Sequence, residues 1–128
     1  MTTSERAGKR LRAVETLLAE EAFADVVRES QEVVELLLKA VVRTFGLAVP
    51  FSHDLSECLR QNASRLPAGA RSQVPRWSEI SRHLRKDREL SFYGSEDVTP
   101  STFYGRDDAK AALAMAREVA ATVAPWIR

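Results

Sequence analysis

Cysteine is almost missing from this chain: Cys58 stands alone. A single thiol makes neither a disulfide framework nor a cysteine metal site. The two histidines, His53 and His83, lie far apart, without HExxH spacing or an acidic cluster beside either. No metal or cofactor is therefore expected. The five glycines are scattered and form no phosphate loop or dinucleotide fingerprint. No apolar run approaches the roughly 18 residues of a membrane helix. The first residues, MTTSERAGKR, are charged where a signal peptide is apolar. Ser91 has no histidine within local reach, so a serine nucleophile has no support. Excess charge is missing too, since 19 basic residues against 18 acidic ones leave +1. Nothing in that balance demands a nucleic acid or an anionic membrane. These absences describe a soluble cytoplasmic protein.

What is present is helical. At 128 residues the chain reads as one domain, 1–128, large enough for its own core. Thr3 and Ser4 suit the cap of a first helix with the stripe Ala7, Leu11, Val14, Leu17 and Leu18. A break near Glu20 to Phe23 leads into a second helix, about Ala24 to Phe45, which Gly46 and then Pro50 end. Its apolar arc (Val26, Val27, Val33, Val34, Leu36, Leu37, Leu38, Ala40, Val41, Val42) covers roughly two thirds of the circumference. The polar remainder is a strip of Arg28, Glu32, Glu35, Lys39 and Arg43. Such a helix is central, or is buried a second time against a partner subunit.

A third helix is expected from Asp54, with Asp54 and Glu57 as a capping box, to near Arg65. LPAGA reads as a turn, and Pro75 suits the first position of a fourth helix ending near Tyr93-Gly94. Residues Ser95 to Gly105 read as a loop. Asp107 and Asp108 complement the positive end of a last helix with the stripe Ala109, Ala112, Leu113, Ala116, Val119, Ala120 and Val123. No period-2 alternation, internal repeat or low-complexity tract appears. The pattern is an all-α, up-and-down bundle of about five helices.

Within the fourth helix, SRHLRKDRELSFYG (Ser81–Gly94) puts charge where the helix should be apolar. Trp77, Ile80 and Leu84 make one stripe, and continuing it by 100° per residue reaches Asp87, Arg88 and Ser91. Charged residues are rarely buried without a partner. Two readings fit: a half-buried Asp87–Arg88 pair at the mouth of the bundle, or a polar site with Arg85, Arg88, Glu89 and Tyr93 around it. Arg82 falls on the opposite, solvated face. Only Lys9, Lys39, Lys86 and Lys110 among the basic residues are lysines, and arginine is the better fork for phosphate and carboxylate.

The segment SQEVVELLLKAVVRTFGLAVPFSHDLSECL (Ser30–Leu59) resembles the second helix and turn of HEPN domains: an apolar helix with Glu35 four residues before Lys39, then His53-Asp54-Leu55. The tail adds RELSFYG, Pro100, the aromatic Tyr104 and a helix with Asp108, Ala109, Ala112 and Leu113. The resemblance spans roughly residues 5 to 125, nearly the whole chain. It implies a small helical bundle, usually a homodimer. It also implies an RNA-directed, ribonuclease-like component of a toxin–antitoxin system, partnered by a minimal nucleotidyltransferase, or else a non-catalytic module binding a nucleotide, RNA or such a partner. Active members are metal-independent ribonucleases.

The family's catalytic signature is an arginine, four to six further residues, then a histidine late in the bundle. Here Arg88 is followed after four residues by Tyr93. A literal match, Arg76 with His83, lies about three turns earlier, its side chains sharing a helix face about 10 Å apart along the axis. Arg88, Tyr93 and His83 are thus the catalytic candidates. Arg85, Asp87, Glu89, Arg76, Glu35, Lys39, His53 and Tyr104 are the binding candidates. Several also have structural readings. Glu35 and Lys39 suit an ordinary i, i+4 pair worth about 0.2–0.5 kcal/mol. His53 suits a turn ahead of the Asp54 cap, and Tyr104 suits packing of the loop on the bundle. Tyr93, with an ordinary phenol pKa of about 10, is a poor base at neutral pH.

Overall fold

The computed structural model describes residues 1–48, 54–92 and 104–127; the side chains of 87–92 lie outside that description. Among these residues the chain is helical, with no strand. The helices are α1 (Thr3–Ala19), α2 (Phe23–Thr44), α3 (Leu55–Gln61), the single turn α4 (Ala68–Arg71), α5 (Val74–Phe92) and α6 (Arg106–Val123). Short 3-10 turns occupy Ala63–Arg65 and Ala124–Trp126. The all-α bundle is the architecture that the apolar periodicity predicts.

Chain chemistry sets each boundary. Thr2, one residue earlier than expected, caps α1: its hydroxyl accepts from the Glu5 amide at 3.1 Å. The Glu5 carboxylate in turn accepts from the Thr2 amide at 3.3 Å, completing a capping box. α1 ends in a Schellman motif, with Ala22 N–H donating to Leu17 O and Glu21 N–H to Leu18 O. Glu21 holds the left-handed position there, at φ 59°. Gly46 does the same after α2, at φ 70°. Leu47 N–H then reaches Val42 O, and the Leu47 side chain is buried. The LPAGA turn contains the helical turn α4, and Pro75 is the second residue of α5 rather than the first.

α2 is the central element, packed against α1, α3, α5 and α6. Val26, Val27, Val33, Val34, Leu37, Leu38, Val41 and Val42 are buried, while Leu36 and Ala40 are only partly covered. The wide apolar arc is therefore consumed largely within one chain. Met1, 80% exposed, is the one large hydrophobic side chain left in solvent among the described residues. A partner subunit is not needed to cover α2, so that argument for a dimer falls away. Among the described residues no helix is long and apolar enough to cross a membrane.

α1 and α6 run antiparallel and are stitched by the ion pairs Glu15–Arg117 and Glu21–Arg106. Arg106 also lies over the Phe23 ring, 5.3 Å from its centroid. The α6 stripe Ala109, Ala112, Leu113, Ala116, Val119 and Val123 is buried as its spacing predicts. Asp108 accepts from the Gly105 amide at 2.9 Å, fixing the start of that helix.

Gly46→Ala is expected to destabilise the fold by about 1 kcal/mol, because an L residue there is forced into the left-handed region. No atom of the described residues lies within 4 Å of where the added Cβ would stand, so the expected cost is backbone strain. An unchanged melting temperature would contradict this account.

Candidate functional site

The residues singled out by sequence fall into three places. The first is the junction of α3 with the middle of α5. Asp54 begins α3: its Oδ1 accepts from the Glu57 amide at 3.1 Å and from the Ser56 hydroxyl at 2.6 Å. The expected capping box is half made, because the Glu57 carboxylate pairs with Arg60 and accepts from Gln61 Nε2 instead of reaching back. Arg85 of α5 brings its Nη1 to 3.8 Å from the same Asp54 oxygen. That distance is an ion pair beyond hydrogen-bond reach. The Arg85 side chain is 30% exposed, so the pair lies at the surface of the junction. The Ser56 hydroxyl, then the Glu57 amide, Arg85 and Arg60, hold the Asp54 carboxyl below its usual range, against a desolvation that raises it.

The second place is the seam of α5 with α6. Trp77, only 1% exposed, donates its indole N–H to Thr122 Oγ1 at 2.8 Å. Thr122 passes its own proton to Glu118 O at 2.8 Å. Arg76 forks onto Glu118, with Nε to Oε2 at 2.7 Å and Nη2 to Oε1 at 3.0 Å, and also contacts Glu79 at 3.2 Å. The Arg76 hydrogen bond in turn lowers the Glu118 pKa. Of the early Arg76–His83 spacing, Arg76 ties two helices together, and His83 is exposed about two turns further along α5.

The third place concerns Glu35 and Lys39. Glu35 accepts from Gln31 Nε2 at 3.2 Å, and no Glu35–Lys39 ion pair forms among the described residues. Lys39 instead lines a cleft with Arg6 of α1 and Arg43 of α2. Tyr104 is buried in the core, which answers its packing reading and removes it from any accessible surface. Arg82 is exposed, as its phase predicts. Asp87, Arg88 and Glu89 lie on the described helix but their side chains are outside the described residues, as are His53 and Tyr93 altogether.

Two features escaped the sequence reading. By sequence Asp54 is a helix cap, and its approach to Arg85 across a long sequence gap leaves no local signal. The convergence of Arg6 with Lys39 and Arg43 had one: Lys39 and Arg43 are like charges at i, i+4 without an acid between them.

Because the Asp54 carboxyl has a depressed pKa in the fold, its contribution is present above the unfolded value and is lost as pH falls through the folded one. Asp54→Ala is expected to cost about 1 kcal/mol at neutral pH through the lost cap. Its stability should also fall less than that of the parent chain between pH 5 and pH 2, roughly the carboxylate range. Parallel acid-dependent melting curves would refute the assignment. On the α5–α6 seam, Thr122→Val should cost about 1–3 kcal/mol in urea titration by orphaning the Trp77 N–H.

The HEPN domain family model matches residues 3–126. No curated protein and no solved structure matches the chain. The helical bundle and the match along nearly its whole length agree: this chain belongs to the HEPN domain family.

Proposed function

We propose that this HEPN domain acts on RNA as the ribonuclease-like component of a toxin–antitoxin-type pair, together with a minimal nucleotidyltransferase partner. The observation that carries the reading is the Asp54–Arg85 contact, which joins the start of α3 to the polar half of α5. Position 88 lies one turn beyond Arg85 and about 60° round the helix, so the junction leads to it. Arg88 is assigned to hold the scissile phosphate and to stabilise charge developing on its oxygens. Arg85, Asp87 and Glu89 are assigned to binding the substrate. The ribose 2′-hydroxyl loses its proton to a base as its oxygen bonds to phosphorus. The bond to the 5′-oxygen then breaks, and that oxygen takes up a proton.

Helix geometry bears on which group handles the proton. Position 83 is about 140° from position 88 and about 200° from position 85 around α5. Within one chain His83 faces away from the arginine side, and only a second copy can bring it there. A two-fold homodimer with a composite site is therefore part of the proposal. Tyr93 is the alternative group on the same chain, with the less suitable pKa.

One observation favours a second reading, a non-catalytic module that binds RNA, a nucleotide or the partner. Arg76 is held by Glu118, so the literal arginine–histidine motif is spent on the fold.

The deciding experiment incubates the full chain with single-stranded and structured RNA in the presence of chelator. The expected result is slow cleavage leaving a 2′,3′-cyclic phosphate, abolished by Arg88→Ala. Mixed Arg88→Ala and His83→Ala chains should regain activity if the site is composite; loss with Tyr93→Phe alone would assign the proton to Tyr93. Intact RNA with binding retained would establish the second reading, and a protein that neither cuts nor binds RNA would sink the first.

A further inference from the structure

Away from α5, a concavity lies where the start of α1, the last turns of α2 and the segment after α6 meet. It encloses about 670 Å³, within the usual range of roughly 300–1,000 Å³ for small-molecule sites. Three cations line it: Arg6, Lys39 and Arg43. Among the described residues no carboxylate does. Among the described residues none of the three makes an ion pair or a side-chain hydrogen bond. That contrasts with Arg28, Arg60, Arg76, Arg85, Arg106 and Arg117, each of which has an acidic partner. In a chain with a net charge of only +1, three converging unpaired cations are a local surplus that the fold itself does not use.

Leu36, Trp126 and Ile127 give the same cleft an apolar lining. The Trp126 ring is held in place by close approach to Gly69, where an added Cβ would stand 2.7 Å from Cζ2. The cleft thus combines cationic groups with aromatic and aliphatic ones.

We propose that this cleft binds an organic phosphate, a small molecule with a phosphate group at Arg6, Lys39 and Arg43 and a flat or apolar body against Leu36, Trp126 and Ile127. Three cations exceed what one carboxylate neutralises. A phosphate monoester carries roughly −1.5 to −2 charges and three strong acceptor oxygens, and arginine forks match its geometry. A concave site with an apolar wall fits a compact ligand better than an extended chain. The inference does not depend on the RNA-directed reading, because no described α5 side chain lines the cleft.

The test titrates the full chain with phenyl phosphate and with inorganic phosphate at low salt, following tryptophan fluorescence and heat. Trp77 is buried and hydrogen-bonded in the α5–α6 seam, so a ligand-dependent change reports on Trp126. Phenyl phosphate should bind several-fold more tightly than inorganic phosphate. Lys39→Ala with Arg43→Ala should weaken it at least tenfold, while Arg82→Ala, at an exposed position of α5, leaves it unchanged. Equal affinity for the two probes would overturn the assigned body wall, and unchanged affinity in the double variant would overturn the site. Binding of a short RNA with no binding of either small phosphate would also overturn it, giving the cleft to a polyanion. Loss of RNA cleavage in Arg88→Ala leaves these outcomes untouched, so the two assignments fail separately.

Discussion

Burial of α2 is the constraint on which the rest of the bundle depends. Six valines and two leucines of this helix are buried, with α1, α3, α5 and α6 packed on it. Each such side chain contributes about 1.5–3 kcal/mol when removed from water. Valine is a mediocre helix former, because its branched side chain loses rotamer freedom against the preceding turn. α2 is therefore held helical by what packs on it more than by its own propensity. With so much of its circumference committed, its polar side chains are confined to one strip and to its ends. Chemistry in this fold has to sit at the seams between the outer helices or beyond the ends of α2.

The seams differ in what their charges do. At the α5–α6 seam, Arg76 and Glu118 meet in a forked hydrogen-bonded pair beside the buried Trp77–Thr122 bond. Both donors and both acceptors find good geometry, and the pair works as a clasp between helices. At the α3–α5 junction Arg85 stands 3.8 Å from an Asp54 oxygen that already accepts from Ser56 and Glu57. That carboxylate is shared among several donors, so Arg85 is attracted by charge without being locked by a fork. One arginine on α5 is fixed by the fold and another is steered toward an open surface. The distinction lies in the partner, not in the arginine.

Partners are also where the sequence stops being legible. Apolar periodicity marks the long helices and their buried faces, and Gly46 marks the end of α2 by a rule with a stereochemical cause. The cap at Thr2 escaped because three consecutive hydroxyl or small polar residues compete for that role. The turn α4 escaped because a glycine and a proline in LPAGA outweigh its two alanines in local propensity. For the candidate site, phase along α5 separates buried Trp77, Ile80 and Leu84 from exposed Arg82, as the structure has it. Phase cannot say that Arg76 faces Glu118, because that contact joins residues 42 positions apart. A spacing that looks like a catalytic pair on one helix is equally the spacing of a residue reaching to its neighbour.

The polar strip of α2 carries the same lesson into electrostatics. By spacing, Glu35 and Lys39 form the favourable i, i+4 pair that would cancel their charges. In the fold Glu35 accepts from Gln31, one turn upstream, and Lys39 is left to share a cleft with Arg6 and Arg43. A nearly neutral chain thereby acquires a positive concavity, although its overall balance demands no anionic partner. Net charge averages over the whole surface, whereas a ligand meets only the groups that line one cleft, where low-dielectric walls focus the field. Three like charges in that setting repel one another, and with no carboxylate in the lining among the described residues a bound anion relieves that repulsion.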